Sequence, residues 1–364
     1  MIIKTTQISE AEQEHTTSMF PKNKQAVFFD IETTGFSPSS TKVYLIGCIY
    51  FDGTAFQMIQ WFSQSSQDEA EVLHSFFTFI QPYQTLIHYN GEGFDMPYLT
   101  NRCKAYQLPY DFSAFKSLDL YKLLLPYKEI LKLPNLKQKT LEAFLGIERK
   151  DLYSGGELIS VYYEYLAKPS DSLQEQLLLH NHDDLLGMLR LYPAVSYYHL
   201  FHGEIQDVSC KLHPYTSAKG ESLEEAIFTF TCPLPLPKEI SYRKNEYYLS
   251  GYGTTSRLAV QVYTNELKYF FPNYKDYYYL PEEDMSVHKS VAFYVDKNFR
   301  TQATAANCYN KKSGRFLPQK TEVIIPYFKQ NYKDKQTYFE LSDDFLQNPD
   351  QLRLYVTHIL TTLQ

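Results

Sequence analysis

The stretch VFFDIETTGF, residues 27–36, runs an apolar segment straight into two acids. On a strand, side chains two apart point to one face. Asp30 and Glu32 therefore project together from the end of a segment whose other residues are those of a buried strand. Like charges held close raise each other's pKa and destabilise a fold unless a cation lies between them. The strand ends either in a solvated acidic turn or at a cation. Oxygen-only donors suit a hard ion such as Mg²⁺ or Mn²⁺.

The surrounding pattern is that of an α/β domain. Residues 1–23 read as a polar lead-in, and 43–53 as a second strand ending in an Asp-Gly turn. Residues 55–64 follow at hairpin distance. Residues 68–80 carry acids in the first turn and apolar residues at helical spacing. A fourth strand is expected at 85–90, a helix at 95–106 with Pro97 near its start, and a short strand at 115–120. Beyond it the pattern is helical to about residue 200. A hairpin followed by alternating strands and helices implies a mixed central sheet, spanning a domain over 24–205. After 205 tyrosine, proline and β-branched residues rise, with turn signals in CPLPLPK and SGYGTT. Residues 206–364 read as a second, β-rich (α+β) domain that closes with a helix over about 348–363. The length of 364 residues suits two domains.

The five cysteines are scattered with no CxxC spacing, which suggests neither a disulfide framework nor a zinc site. That usage, a start that is not a secretory signal and the lack of a membrane-spanning apolar run imply a cytoplasmic protein. The net charge of −7 is uneven. Residues 1–200 carry 16 basic and 23 acidic residues, whereas 201–364 carry 19 of each. The acidic excess thus lies in the half that holds the paired carboxylates.

Further elements join that pair. HYNGEGFDMPYL, residues 88–99, places Asp95 after a strand and at the head of a helix. LLLHNHDDLLGMLRLY, residues 177–192, is an amphipathic helix in which His180 and Asp184, four apart, share one face. With these three motifs the chain resembles the DEDD (DnaQ-like) 3′–5′ exonucleases of the ribonuclease H fold. Within them it is most similar to the YprB-like ribonuclease H-like exonucleases. The resemblance covers roughly residues 24–200 and extends to LGIERKDLYSGGELISVYYEYL, residues 145–166.

The resemblance implies that Asp30, Glu32, Asp95 and Asp184 hold two Mg²⁺ or Mn²⁺ ions, about 3.5–4 Å apart in such sites. It further implies that His180 orients or deprotonates the attacking water. The family's third motif places a histidine five positions before the last Asp, or a tyrosine four before. Here His180 stands at the tyrosine spacing from Asp184. Asp184 is the preferred ligand and Asp183 the alternative, with His182 a surface or packing residue. Thr33, Gly35, Asn90 and Phe94 are candidate contacts to a terminal nucleotide, Asn90 equally a turn-holding residue. Asp119 is a helix cap or a further acid of the site, and Arg149 and Lys150 are candidate phosphate contacts.

In the second domain, residues 289–335 hold ten Lys or Arg against three acids, with aromatics interleaved. Cations can follow phosphates while rings stack on bases, so Lys297, Arg300, Lys311, Lys312 and Arg315 are candidate nucleic-acid contacts; the alternative is an ordinary β domain with its aromatics in the core. The whole pattern points to a metal-dependent nuclease, expected to be a 3′–5′ exonuclease acting on DNA or RNA, with no membrane partner. A non-catalytic nucleic-acid-binding module and a structure-specific endonuclease are the alternatives.

Overall fold

A computed structural model describes residues 1–364 except 11–19, 21–24, 151–152, 154 and 218. The chain divides into two compact units, Met1–Tyr198 and His199–Gln364. The division falls shortly before the change of texture at 206, inside a helix, α7 (Val195–His202), that the composition does not mark.

The first unit is built on a six-stranded sheet in the order β1-β4-β3-β2-β5-β6. The strands are β1 (Ile2–Gln7), β2 (Ala26–Thr33), β3 (Val43–Phe51), β4 (Phe56–Phe62), β5 (Thr85–His88) and β6 (Lys116–Asp119). Pairs β1–β4, β4–β3 and β3–β2 are antiparallel, and β2–β5 and β5–β6 are parallel, so the sheet is mixed. One expectation is corrected. Ile2–Gln7, within the stretch read as a polar lead-in, pair with β4 as an edge strand. The segment is largely exposed, which is why its β-branched residues carry no buried pattern. Most of the remaining lead-in lies outside the described residues.

The helices of this unit are α1 (Glu69–Ile80), α2 (Asp95–Ala105), α3 (Leu120–Leu124), α4 (Gln138–Leu145), α5 (Gly155–Ala167), α6 (Asp171–Leu191) and α7. Strand parity sorts β2 between two layers. Val27, Phe29 and Ile31 pack into a core with Val72, Leu73, Phe76, Phe77 and Ile80 of α1. The even-numbered residues face the other side, where Phe28 meets Tyr192, just past the end of α6. Asp30 and Glu32 share that side with Phe28, as the period of two requires.

The second unit is β-rich. It holds the sheets β7-β8-β9, β10-β14-β16-β15 and β12-β11-β13. Their strands are β7 (Gln206–Thr216), β8 (Ser222–Lys244), β9 (Tyr247–Gln261), β10 (Tyr263–Phe270), β11 (Tyr277–Leu280), β12 (Met285–His288), β13 (Thr301–Gln302), β14 (Tyr309–Gln319), β15 (Tyr327–Phe328) and β16 (Thr337–Glu340). Its described residues also form the α-helices α8 (Lys289–Ala292), α9 (Asp343–Leu346) and α10 (Pro349–Thr362). Asn348 caps α10 by accepting from Asp350 N and Gln351 N, and Tyr355, Val356, Ile359 and Leu360 of that helix are buried. No helix of the described residues is long and apolar enough to cross a membrane.

Candidate metal-binding active site

The site forms where β2 outruns its parallel neighbour. Pairing with β5 ends at Phe28↔Ile87, while pairing with β3 continues to Thr33. Beyond Phe28 one edge of β2 is open, and the backbone N–H of Ile31 hydrogen-bonds the carboxylate of Asp95. This bond ties the head of α2 to the acid-bearing strand.

The loop presenting Asp95 is held from below. Asp119, at the end of β6, accepts from Asn90 N at 2.9 Å and Glu92 N at 3.3 Å. The same side chain caps α3, accepting from Tyr121 N and Lys122 N. Asp119 is therefore the helix cap, and also a clamp on the loop. Asn90 takes a left-handed backbone conformation, φ 60°, which an asparagine tolerates. It turns the chain at this point, and its N–H is occupied by Asp119.

Helix α6 supplies the remaining groups. Ser170 caps it, and its buried face includes Leu177, His180, Asn181, Leu185 and Met188. This face seats on β3 at Gly47, which lies opposite Asp30 in register. A Cβ at Gly47 would stand 2.1 Å from Asn181 Oδ1 and 2.5 Å from a Leu185 methyl. The absent side chain lets the helix approach the sheet. Asn181, wholly buried, donates to Asp30 Oδ2 at 2.9 Å and accepts from Gln60 Nε2 at 3.0 Å. Nothing in the sequence pattern singled out Asn181; its place between His180 and His182 gave no such signal.

Glu32, His180 and Asp184 each bring one ligand atom into a group whose members lie within 4.8 Å of one another. His180 Nε2 stands 3.7 Å from Glu32 Oε1 and 3.4 Å from Asp184 Oδ2. Asp30 and Asp95 complete the cluster electrostatically. Asp30 keeps some solvent contact but is otherwise enclosed. Burial first, then the charges of Asp184 and Asp95, hold its carboxyl well above the ordinary range, with Asn181 and Arg149 offsetting part. Burial likewise pushes Asp95 up to about 7, aided by the charges of Asp119 and Asp184 and opposed by backbone hydrogen bonds. Asp183 points elsewhere. Its Oδ2 accepts from Lys150 N at 2.8 Å, and its Oδ1 lies 3.1 Å from His182 Nδ1.

Arg149 plays a larger part than its sequence context suggested. Only its backbone neighbour Lys150 reaches Asp183, whereas the Arg149 guanidinium is largely buried between two acids. Its Nη1 is 2.6 Å from Asp184 Oδ1. Its other nitrogens bond Glu142, with Nη2 at 2.7 Å from Oε1. Gln138 Nε2 bridges Glu142 Oε1 and the Asp184 carbonyl. Burial opposes the charge on Arg149, but bonds to the two carboxylates raise its pKa overall.

Thr33 Oγ1 donates to Gly35 O at 2.8 Å, folding the chain after the strand. Phe94 sits one residue before Asp95, its ring 6.3 Å from that of exposed Phe36. Lys311, Lys312 and Arg315 lie far along the chain on β14. Lys311 pairs with Asp284, Lys312 with Glu340 at 2.6 Å, and Arg315 with Glu224 at 3.4 Å. All these acids belong to the second unit, so the charge of the three cations is compensated within it. The carboxylate donors of the first unit, Asp30, Glu32, Asp95 and Asp184, fit hard divalent ions such as Mg²⁺ or Mn²⁺.

Residues 27–196 match the family model of the RNase_H superfamily, and this stretch is an RNase H-like domain. No curated protein matches the chain. Among solved structures the chain is similar to the family B DNA polymerase of the hyperthermophilic archaeon Pyrobaculum calidifontis. Identity is 15% and the TM-score 0.39, over 73% of this chain and 39% of the polymerase. It is also similar to E. coli exonuclease I in a zinc-bound complex with single-stranded DNA. There identity is 16% and the TM-score 0.29, over 58% of this chain and 55% of that one.

Proposed function

We propose that this protein is a metal-dependent nuclease that hydrolyses phosphodiester bonds of DNA or RNA, working as a 3′–5′ exonuclease. The observation that carries this reading is the convergence of acids from three separate elements: Glu32 of β2 lies with Asp184 of α6 in one group within 4.8 Å, and Asp95 of α2 is hydrogen-bonded to the same strand at the Ile31 N–H. A fold gains nothing from burying such a cluster unless cations occupy it. Asp30, Glu32, Asp95 and Asp184 would hold two Mg²⁺ or Mn²⁺ ions, and His182 and Asp183 take no part. Bound there, the ions would lower the pKa of a water and neutralise charge on the phosphate being cleaved.

The chain's own groups do the rest. Asn181 fixes one oxygen of Asp30. Arg149 holds Asp184 Oδ1, leaving Oδ2 turned toward His180. His180 orients the attacking water and accepts its proton. Thr33 and Gly35, just after Glu32, and Asn90 and Phe94, just before Asp95, contact the terminal nucleotide.

Incubating end-labelled single- and double-stranded DNA and RNA with Mg²⁺ or Mn²⁺ tests the reading. A ladder receding from the 3′ end, abolished by chelator, is expected. Internal cuts would make the protein an endonuclease, and tight binding without cleavage a binding module. His180→Ala is expected to slow cleavage by about 10²–10⁴-fold while calorimetric Mn²⁺ affinity stays near that of the parent.

A further inference from the structure

The basic and aromatic residues of 289–335 separate into two kinds. Those on β14 are paired with acids, as described. Among the described residues no carboxylate lies within ion-pair distance of Lys289, Lys297 or Arg300. Two of these cations are gathered on one ring. Lys289 Nζ is 5.5 Å and the Arg300 guanidinium 4.9 Å from the Tyr278 centroid. Arg300 is further fixed by donating to Ala292 O.

Beside them stand large side chains that the core does not use. Ala292 is fully buried and anchors the end of α8, while Val291, Phe293 and Tyr294 turn outward at 60%, 77% and 88% exposure. The Phe293 and Tyr294 rings stand 5.7 Å apart and perpendicular. Exposed apolar residues are ordinary when scattered singly; a contiguous group marks an interaction site. Asp296, the nearest acid in sequence, is turned to its own backbone, accepting from Asn298 N.

We propose that this face, Phe293 and Tyr294 flanked by Lys289, Lys297 and Arg300, binds single-stranded nucleic acid. The choice of ligand rests on the nuclease reading and on charge complementarity. Unpaired bases stack on exposed rings whatever their sequence, while nearby cations follow the phosphates. A duplex hides its base faces and would leave the rings without a partner. Ser290, Asp296 and Asn298 interrupt the apolar side chains, which argues against insertion into a lipid surface.

The test is fluorescence anisotropy with labelled oligo(dT) and oligo(U), using the full chain in chelator so that metal-dependent cleavage is off. Stacking contributes about 1–3 kcal/mol per base, so Phe293→Ser with Tyr294→Ser is expected to weaken binding at least tenfold. Its salt dependence should stay unchanged. Tyr294→Phe should bind as the parent does. Lys289→Gln with Lys297→Gln should flatten the slope of log affinity against log salt by about 0.7 per charge. Lys311→Gln with Lys312→Gln and Arg315→Gln should leave binding nearly unaltered. All these positions are exposed or partly so, and unchanged melting temperatures would confirm folding. Parental affinity in the ring variant overturns the proposal. So does loss of self-association, or of binding to anionic vesicles, in place of loss of oligonucleotide binding. A parent chain that binds no oligonucleotide overturns it as well. Cleavage that persists in Mn²⁺ while the ring variant binds normally would remove this surface and leave the nuclease reading standing. Binding that depends on the rings, without any cleavage, would do the reverse.

Discussion

Asp284 in the second unit and the Asp30–Asp95 pair in the first are both acids within hydrogen-bonded networks, yet their charges are treated oppositely. Asp284 is met by Lys311 and by the hydroxyls of Tyr279 and Tyr309. Those donors hold its carboxyl well below the usual range. Asp30 and Asp95 are met mainly by burial and by other acids, and both are pushed up. A carboxylate that its own chain satisfies has no use for an ion. Carboxylates crowded together, with Arg149 and Asn181 as partial relief, carry charge that their own chain leaves unbalanced. On the proposed function, that difference separates a structural acid from a functional one without reference to sequence position.

The comparison breaks most severely at Asp30. Asp30→Asn should reduce metal-dependent cleavage by more than about 10²-fold, since charge stabilisation at the phosphate is lost. The same change should raise the melting temperature of the metal-free protein, because it removes a buried charge from among like charges. A parallel loss of stability would show that Asp30 is a structural acid like Asp284.

Arg149→Ala strands Glu142, which is buried. Removing one partner of a buried pair costs about 3–5 kcal/mol, read by denaturant unfolding. Pairing it with Glu142→Gln should recover most of that loss while leaving Asp184 less well held and Mn²⁺ affinity lower.

Asp95 sharpens the contrast through pH. Its value in the folded chain, about 7, lies above the ordinary 3.8, so folding favours the protonated form. This contribution to stability is complete below 3.8 and is lost as pH rises through about 7. Without metal, the parent should therefore lose stability across that window, and Asp95→Asn should lose less. Added Mn²⁺ should reduce the difference.

The smallest effect is expected from Lys311→Gln, at the exposed end of the Asp284 network. Stability should hardly move, while the Asp284 carboxyl, followed by NMR, should titrate at higher pH than in the parent.

Much of the first unit was legible because its signals are local. Parity on a strand put Asp30 and Glu32 on one face, and helical spacing put His180 and Asp184 together. Asp183 and Asp184 part in a way that only the direction of α6 reveals: the first accepts from the Lys150 N–H, and the second lies with Glu32 and His180. Asn181 was not legible as part of the site, and Arg149 read only as a candidate phosphate contact, since their partners lie on β2 and at two points of the α4–α6 region. The same limit applies to the partners of Lys311, Lys312 and Arg315, since Asp284, Glu340 and Glu224 reach them from elsewhere in the chain. The edge strand β1 escaped notice for the opposite reason, having too little buried surface to leave a pattern.

Gly47 gives the site a built-in gauge. Two acids ride on the sheet and one on the helix, and the clearance between those bodies is set by a position without a side chain. A single methyl there would act as a wedge, opening the gap on the side where, under the proposed function, Asp30 and Asp184 would close on the same ions. Hydrophobic layers elsewhere in the domain could absorb such a shift by repacking; a coordination sphere has far less slack. The smallest residue in the sheet thus sets the clearance of the crowded acids beside it.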